Sequence, residues 1–155
     1  MLEQLLIKNF VLVSQAELTL NAGLTILTGE TGAGKSLLLD ALGAVLGDKA
    51  QSFWVRPNAD KAEVSASFQV QTLINAKDWL SEHDLTADEE DHCLIRRVIH
   101  ADGKTKAYIN GSAVTLTQLR QLAEMLVELH RQHEHHARLK PTQQLALLDN
   151  WAQLG

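Results

Sequence analysis

The sequence predicts a mixed α/β fold in which a β-rich arm lies beside a phosphate-binding core. Two observations lead to this prediction. Short β-favouring runs alternate along the chain with segments whose apolar residues recur every three or four positions. One change from an apolar run to a helical pattern occurs at a glycine-rich loop, an arrangement typical of nucleotide-binding α/β domains.

Composition limits the classes of protein that remain possible. The chain has 155 residues, the size of one ordinary domain, and 45% are hydrophobic, which is enough for a core. The formal net charge of −5 argues against a surface devoted entirely to nucleic acid, although a local basic patch remains possible. Cys93 is the single cysteine, so no internal disulfide forms and a cytosolic location is expected. No run of 18 apolar residues is present, so no membrane span is predicted.

The first third of the chain reads as strands followed by a helix. Turn-forming Asn9 and the Asn-Ala-Gly run at 21–23 separate three β-favouring runs. The strands are predicted over residues 5–10, 13–20 and 24–28. Leucines and a valine at helical spacing predict a helix over 35–46, which Gly47 ends.

The remainder alternates between the two patterns. A loop is predicted over 48–61, a strand over 63–70 and a short helix over 72–81. The acidic stretch 82–91 is interpreted as a solvated connection, with a cation site as the weaker alternative. The turn dipeptide Asp102-Gly103 predicts a hairpin of strands 93–101 and 104–109, and Asn110-Gly111 closes the second strand. A helix over 117–126 capped by Thr115, a short strand over 127–130 and a helix over 141–148 complete the chain.

The glycine-rich loop GETGAGKS satisfies the pattern G-x-x-x-x-G-K-S/T. Glycines let the backbone aim successive N–H groups at an anion, and the following helix adds its positive N-terminal end. Lys35 is expected to reach the β- and γ-phosphates, and Ser36 to ligate Mg²⁺. The predicted ATP-binding residues are Gly29, Glu30, Thr31, Gly32, Ala33, Gly34, Lys35 and Ser36.

The motif alone does not choose among kinases, GTPases and ATPases. A Walker B segment, an apolar strand ending in Asp, is not found, because the run at 145–150 has helical spacing. Two alternatives stay open. One is a self-sufficient P-loop kinase or phosphotransferase, which needs an acceptor base and an arginine-bearing lid. The other is a structural module in which the nucleotide orders a DNA-bridging surface.

Four ordered motifs carry a family resemblance over essentially the whole chain. They are the phosphate loop, R-x-x-A-x-x-A at 56–62, YINGSAV at 108–114 and H-x-Q-H-E-H at 130–135. Together they resemble the N-terminal head segment of SMC-type ATPases. The resemblance implies a P-loop NTPase fold of the ABC/SMC type, and residues 1–155 are expected to form one N-terminal lobe that stops before a coiled coil.

The resemblance also implies a cycle, partners and a location. Two heads would sandwich ATP and Mg²⁺, and hydrolysis would separate them in the service of DNA double-strand break repair and recombination. The implied partners are the C-terminal lobe of the same head, a second head in a homodimer, and DNA. No association with a membrane is expected. The location implied is cytoplasmic and nucleoid-associated, and the lobe alone is expected to be inactive as an ATPase.

Several residue roles follow from the resemblance alone. Gln132 matches the Q-loop glutamine that holds Mg²⁺ and positions water, and Arg56 matches an arginine near the nucleotide or DNA. The segment Lys8 to Phe10 matches one that lies near the adenine. The chain departs from the family pattern at Arg131 and Asn58, where glycines are expected.

Other reactive or charged residues are interpreted as structural or solvent-exposed. A histidine cluster at 130–136 suggests zinc, but a solvated Q-loop is favoured because the spacing does not match zinc motifs. Cys93 and the tryptophans are interpreted as packing residues. Four basic residues of the hairpin suggest either a DNA-facing patch or a solvated sheet edge, namely Arg96, Arg97, Lys104 and Lys106.

Overall fold

The computed structural model describes residues 2–19, 31–89 and 91–126, with the backbone alone for 31–35. The strands are β1 Leu2–Phe10, β2 Val13–Thr19, β3 Lys61–Gln69, β4 His92–His100, β5 Thr105–Ile109 and β6 Ser112–Val114. The helices are α1 Thr31–Val45, α2 Ile74–Glu82 and α3 Leu116–Leu126, and a 3₁₀ turn lies at Ser52–Trp54.

The six strands of the described residues belong to one antiparallel sheet with the order β2-β1-β3-β4-β5-β6. Strands β1 and β2 are joined by a tight turn, whereas β1 and β3 are neighbours that α1 separates in sequence. This sheet is the β-rich arm that the sequence predicts. It places the start of the chain in direct contact with the segment that follows α1.

Side chains alternate between the two faces of the sheet, as strand geometry requires. On β4, Cys93, Ile95 and Ile99 are buried on what we call the core face, and on β3 Ala66 and Phe68 share it. The opposite face, the open face, carries partly exposed residues such as Leu94 and Arg96. The core face is covered by helices, because buried residues of α1, α2 and α3 belong to the same hydrophobic cluster.

Two turn dipeptides form the hairpins as their chemistry dictates. Gly103 has φ +96° in the β4–β5 turn, and Asn110 and Gly111 have φ +50° and +88° in the β5–β6 turn. Positive φ at both central residues is the geometry of a two-residue hairpin turn, which Asn-Gly favours. The prediction that Asn110-Gly111 ends a strand is therefore correct, but the sequence interpretation missed β6, which the same turn begins.

The Asn110 side chain ties this hairpin to its surroundings. Its Oδ1 accepts from the Leu94 N–H at 2.8 Å, and its Nδ2 donates to the Leu85 carbonyl at 2.7 Å. Leu85 lies in the acidic segment between α2 and β4. The Asn110 side chain therefore links the acidic segment to the sheet by hydrogen bonds.

The ends of the helices follow capping rules. At the C-terminal end of α1, the Asp48 N–H donates to the Gly43 carbonyl at 2.9 Å and the Gly47 N–H to the Ala44 carbonyl at 3.3 Å. With Gly47 at φ +100°, this is a Schellman motif. At the start of α3, Thr115 and Gln118 each accept from the other's backbone N–H at 3.0–3.1 Å, so the predicted Thr115 cap is confirmed as a capping box.

Most predicted elements in the described ranges are confirmed. The strands, the helix at 72–81 and the hairpin lie within one to three residues of their predicted bounds, and the largest difference is β1, which starts at Leu2 instead of residue 5. Helix α1 starts at Thr31, inside the phosphate-loop motif and four residues before the predicted start. The predicted strands at 24–28 and 127–130 and the helix at 141–148 lie outside the described residues. No helix in the described part of the chain is long and apolar enough to cross a membrane.

Candidate nucleotide-binding site

The last six residues of the eight-residue glycine-rich motif form the beginning of α1. Thr31 is the first helical residue, and Ser36 lies exposed in the second turn beside buried Leu37. The first four N–H groups of a helix have no partner within the helix, and the helix dipole makes that end attractive to anions. The described part of the motif therefore fits a phosphate group, and an exposed serine hydroxyl fits a hard cation such as Mg²⁺.

The remaining motif residues are described only in part. Gly29 and Glu30 lie outside the described residues, and the side chains of 31–35, including Lys35, are not described. Their assigned roles stay predictions.

Packing against the sheet fixes the orientation of α1. Leu38, Ala41, Leu42 and Val45 are buried at three- and four-residue steps, so one face of the helix is apolar. This face contacts β3 and β4 on the core face of the sheet. The nucleotide-binding end of α1 is therefore held by burial of the rest of the helix.

Two arginines bind the other end of α1. Arg97 Nη1 donates to the Ala44 carbonyl at 2.7 Å and to the Asp48 carbonyl at 2.8 Å. Arg120 Nε of α3 donates to the Gly47 carbonyl at 2.7 Å. Cations at this position satisfy the last carbonyls of the helix and match the negative end of its dipole.

Arg97 corrects one of the sequence predictions. It is 0% exposed, and burial lowers its pKa to about 10, which still leaves it charged at neutral pH. Arg96 lies on the open face, where its Nε and Nη2 donate to the carboxylate of Glu63 at 3.0 and 3.3 Å. The two arginines therefore lie on opposite faces of the sheet. A DNA-facing patch that includes both Arg96 and Arg97 is wrong, because Arg97 is buried.

The alternative interpretation of that hairpin, a solvated edge, is also wrong for β4. This strand lies between β3 and β5 and pairs with both. A signal for the burial of Arg97 was present in the sequence. Position 97 keeps the two-residue step of Cys93, Ile95 and Ile99, which places all four on one face of a strand.

A second set of predicted site residues is brought together at the turn after β1. The Arg56 N–H donates to the Asn9 carbonyl at 2.9 Å, and Phe10 pairs with Val55 in an isolated bridge. The rings of Phe10 and Trp54 lie 5.6 Å apart. Arg56 therefore lies next to the segment Lys8 to Phe10. This proximity is what a shared nucleotide site would require.

The side chains of Lys8 and Arg56, the two charged residues of this region, are both exposed.

The departure from the family pattern at Asn58 also has a structural reason. Asn58 has φ +73°, in the left-handed region that glycine occupies freely and asparagine tolerates best among the other residues.

The remaining candidates divide between the described and undescribed parts. Gln132, Arg131, the histidine cluster and Trp151 lie outside the described residues. No group of three metal-ligating side chains occurs within the described ranges. In the acidic segment, Asp91 pairs with Lys77 at 3.1 Å and Glu89 lies 3.5 Å from His92.

Cysteine and tryptophan behave as predicted where they are described. Cys93 is 1% exposed, and burial raises the pKa of its thiol to about 12, so it is not a nucleophile at neutral pH. Trp54 and Trp79 are both buried in the core. The interpretation as packing residues is confirmed for these three.

A pocket of about 660 Å³ lies at the open face beside the acidic segment, lined partly by Glu3, Asp88, Glu89 and His92. Of the predicted phosphate-binding residues, Ser36 is the one whose side chain is described, and it does not line this pocket.

Comparison with solved structures identifies the fold. An Smc head bound to the C-winged helix domain of ScpA matches with a TM-score of 0.59 at 22% identity, covering 90% of this chain and 42% of that chain. A chain solved in a study of ATP-driven dimerization and DNA stimulated activation of SMC ATPases matches with a TM-score of 0.56 at 21% identity, covering 96% of this chain and 98% of that one. The fold is therefore the α/β P-loop NTPase fold of SMC heads.

Comparison of sequences gives a narrower result. The chain is 46% identical over 152 residues to the DNA repair protein RecN of Vibrio cholerae and 34% identical over 152 residues to that of Bacillus subtilis. Each alignment covers 98% of this chain but only 27% and 26% of the relative, so the chain spans about a quarter of the length of the curated relatives that it matches.

A family model matches most of the chain. The model described as the RecF/RecN/SMC N terminal domain matches residues 1–130. It spans α1, the whole described sheet and α3. The chain therefore belongs to the RecF/RecN/SMC N-terminal domain family, and within that family it is similar in sequence to RecN.

Proposed function

We propose that this chain is the ATP-binding lobe of an SMC-like ATPase that acts in DNA double-strand break repair and recombination. One observation carries the proposal: the phosphate-binding motif runs into the N-terminal end of α1, in a chain whose relatives are named DNA repair proteins. The kinase and structural-module alternatives have no observation in their favour.

The proposed roles of the residues follow from charge and position. Residues Gly29 to Ser36 are proposed to hold the phosphates, with the N–H groups of the first turn of α1, Thr31 to Gly34, free to donate to them. Lys35 is proposed to neutralise charge that builds on the γ-phosphate as water attacks in line. Ser36 and Gln132 hold Mg²⁺, which when bound supplies positive charge to the β- and γ-phosphate oxygens. Arg56 is proposed to interact with nucleotide or DNA phosphate through its planar guanidinium.

Hydrolysis is proposed to need residues beyond these 155. The sequence contains no apolar strand that ends in Asp-Glu, so the carboxylate that polarises water comes from a C-terminal lobe of the same head. A second head of the same kind then closes over ATP in a homodimer, and DNA is the substrate of the assembly. The proposed location is the cytoplasm, at the nucleoid.

Titration of the chain with a fluorescent ATP analogue and Mg²⁺ tests nucleotide binding. Lys35→Ala removes a charge-assisted contact, which is worth about 1.5–3 kcal/mol, so Kd should rise roughly ten- to a hundredfold. Lys104→Ala, an exposed lysine of the β4–β5 turn, is the control and should leave Kd unchanged. Equal binding by wild type and Lys35→Ala, or none by wild type at millimolar nucleotide, would reject the proposal.

Phosphate release tests the division between lobes. The chain alone should turn over ATP negligibly, and addition of the C-terminal lobe as a separate chain should restore turnover. Phosphotransfer to an acceptor by the chain alone would instead favour the kinase alternative.

A further inference from the structure

Arg97 connects three parts of the molecule that are far apart in sequence. From β4 its Nη1 reaches two carbonyls at the end of α1, those of Ala44 and Asp48. Its Nε donates to Thr105 Oγ1 of β5 at 2.7 Å. Its guanidinium carbon also lies 5.9 Å from the centre of the Trp54 ring. The end of the phosphate-binding helix is thereby joined to both strands of the β4–β5 hairpin.

We propose that Arg97 is a positioning residue that couples the nucleotide-binding end of α1 to the β4–β5 hairpin, with Thr105 as the link to β5. The inference rests on the proposed function, because it requires that nucleotide binds at the start of α1. Nucleotide at one end of the helix stabilises strands that contact the other end.

The helix is suited to transmit this effect. It has 15 residues, so its ends lie about 22 Å apart at 1.5 Å per residue. Its buried face is packed against β3 and β4, and a packed helix moves as a unit instead of bending. Ordering of the first turn by phosphate therefore also orders the carbonyls that Arg97 binds.

The polar contacts make the helix and the hairpin open together. Arg97 is wholly buried, and a buried guanidinium that loses its acceptors carries a large free-energy penalty. Separation of the hairpin from α1 removes the acceptors of Arg97 Nη1, and separation of β5 from β4 breaks the contact between Thr105 and Arg97. The same hydroxyl donates to the Val98 carbonyl at 3.1 Å, so Thr105 also holds the two strands of the hairpin.

Hydrogen exchange of the 155-residue chain, with and without ATP and Mg²⁺, tests the coupling. With nucleotide at a hundred times its Kd, amides that open together with the site should exchange about a hundredfold more slowly. We expect this slowing at the start of α1 and also at Thr105–Ile109. Exchange that slows in α1 but not in β5 would overturn the inference.

Substitutions at the link separate coupling from general stability. Thr105→Val keeps the shape of the side chain but removes its hydroxyl, so nucleotide should slow β5 exchange by about tenfold or less while α1 keeps its full slowing. Thr105→Ser retains the hydroxyl and should restore the wild-type response. Arg97→Lys keeps the charge but lacks the fork that spans two elements, and should behave like Thr105→Val.

The control is Arg96→Lys, the neighbouring arginine on the open face, which should respond as wild type does. Retained β5 slowing in both Thr105→Val and Arg97→Lys would overturn the inference. Nucleotide that slows exchange nowhere in α1 would instead reject the proposed function, and the coupling with it. The two failures are therefore distinguishable in one experiment.

Discussion

Arg96 and Arg97 are adjacent in sequence, yet the two faces of the sheet give them different chemistry. On the open face, Arg96 keeps a side chain 39% exposed, and its hydrogen bond to Glu63 raises its pKa. On the core face, Arg97 is fully buried and its pKa falls to about 10. The comparison teaches that a pair of like charges in a strand does not define a surface patch, because alternation separates the two side chains.

The two arginines should also differ in what they contribute to stability. An exposed ion pair contributes about 0–1 kcal/mol, because water screens it and two long side chains must be ordered. A buried arginine with several acceptors contributes more, because its removal leaves buried carbonyls without a donor.

Thiol reactivity should differ most between the faces. At pH 8 a thiol with pKa about 12 has a thiolate fraction roughly a thousandfold below that of an unfolded cysteine, so Cys93 should react with iodoacetamide about a thousandfold more slowly in the folded chain. The matched control is Leu94→Cys in a Cys93→Ala background, at a position 45% exposed. Similar rates at 93 and 94 would contradict the assignment of the faces.

Arg97→Met should lower the free energy of unfolding by about 3 kcal/mol. The carbonyls of Ala44 and Asp48 and the hydroxyl of Thr105 lose their donor, while the methionine stem keeps part of the packing. Within the described ranges Arg97 Nη2 has no hydrogen-bond partner, so removal of that atom breaks no further hydrogen bond there. Urea unfolding measures the change, and a loss below 1 kcal/mol would remove the distinction between the two arginines.

Gly47→Ala tests the close packing at the end of α1 and should cost about 2 kcal/mol. A Cβ there meets Arg120 Cγ at 2.6 Å, and φ is +100°. Gly103→Ala is the control, since φ is +96° but nothing lies within 4 Å of its Cβ, and it should cost about 1 kcal/mol. Equal losses in thermal unfolding would show that Arg120 does not constrain the site.

Arg96→Met should have the smallest effect, below about 1 kcal/mol at pH 7. The hydrogen bond from Arg96 lowers the pKa of Glu63, so the pair stabilises the fold above the carboxyl's unfolded pKa, and this contribution is lost as pH falls through the lower folded pKa. The difference between wild type and variant in urea unfolding should therefore shrink on acidification, as Glu63 becomes protonated. A difference that grows on acidification would contradict the pairing with Glu63.

Much of the fold was predictable because local patterns agree with tertiary packing. The β4–β5 hairpin, the helix α3 and the Thr115 cap each follow from turn chemistry and from apolar periodicity. The strand β6 was missed because three residues, Ser112–Val114, are too short to show a period. The 3₁₀ turn at Ser52–Trp54 was missed for the same reason.

The phosphate-binding motif of the candidate site was predictable from the sequence, but the side chains that hold α1 in place were not. The sequence identifies residues 29–36 because spacing alone defines a phosphate loop. It does not reveal that Arg97 and Arg120 bind the far end of the same helix, because contacts 53 and 73 positions apart depend on the tertiary fold. The neighbourhood of Asn9 and Arg56 likewise depends on sheet pairing.

Asn110 is also a site of slow chemical change, namely deamidation. An asparagine followed by glycine is prone to lose ammonia slowly, which converts the side-chain amide to a carboxylate. In this turn the lost NH₂ is the group that donates to the Leu85 carbonyl at 2.7 Å, so two oxygens would then face each other. In stored protein this conversion should weaken the attachment of the acidic connection to the sheet.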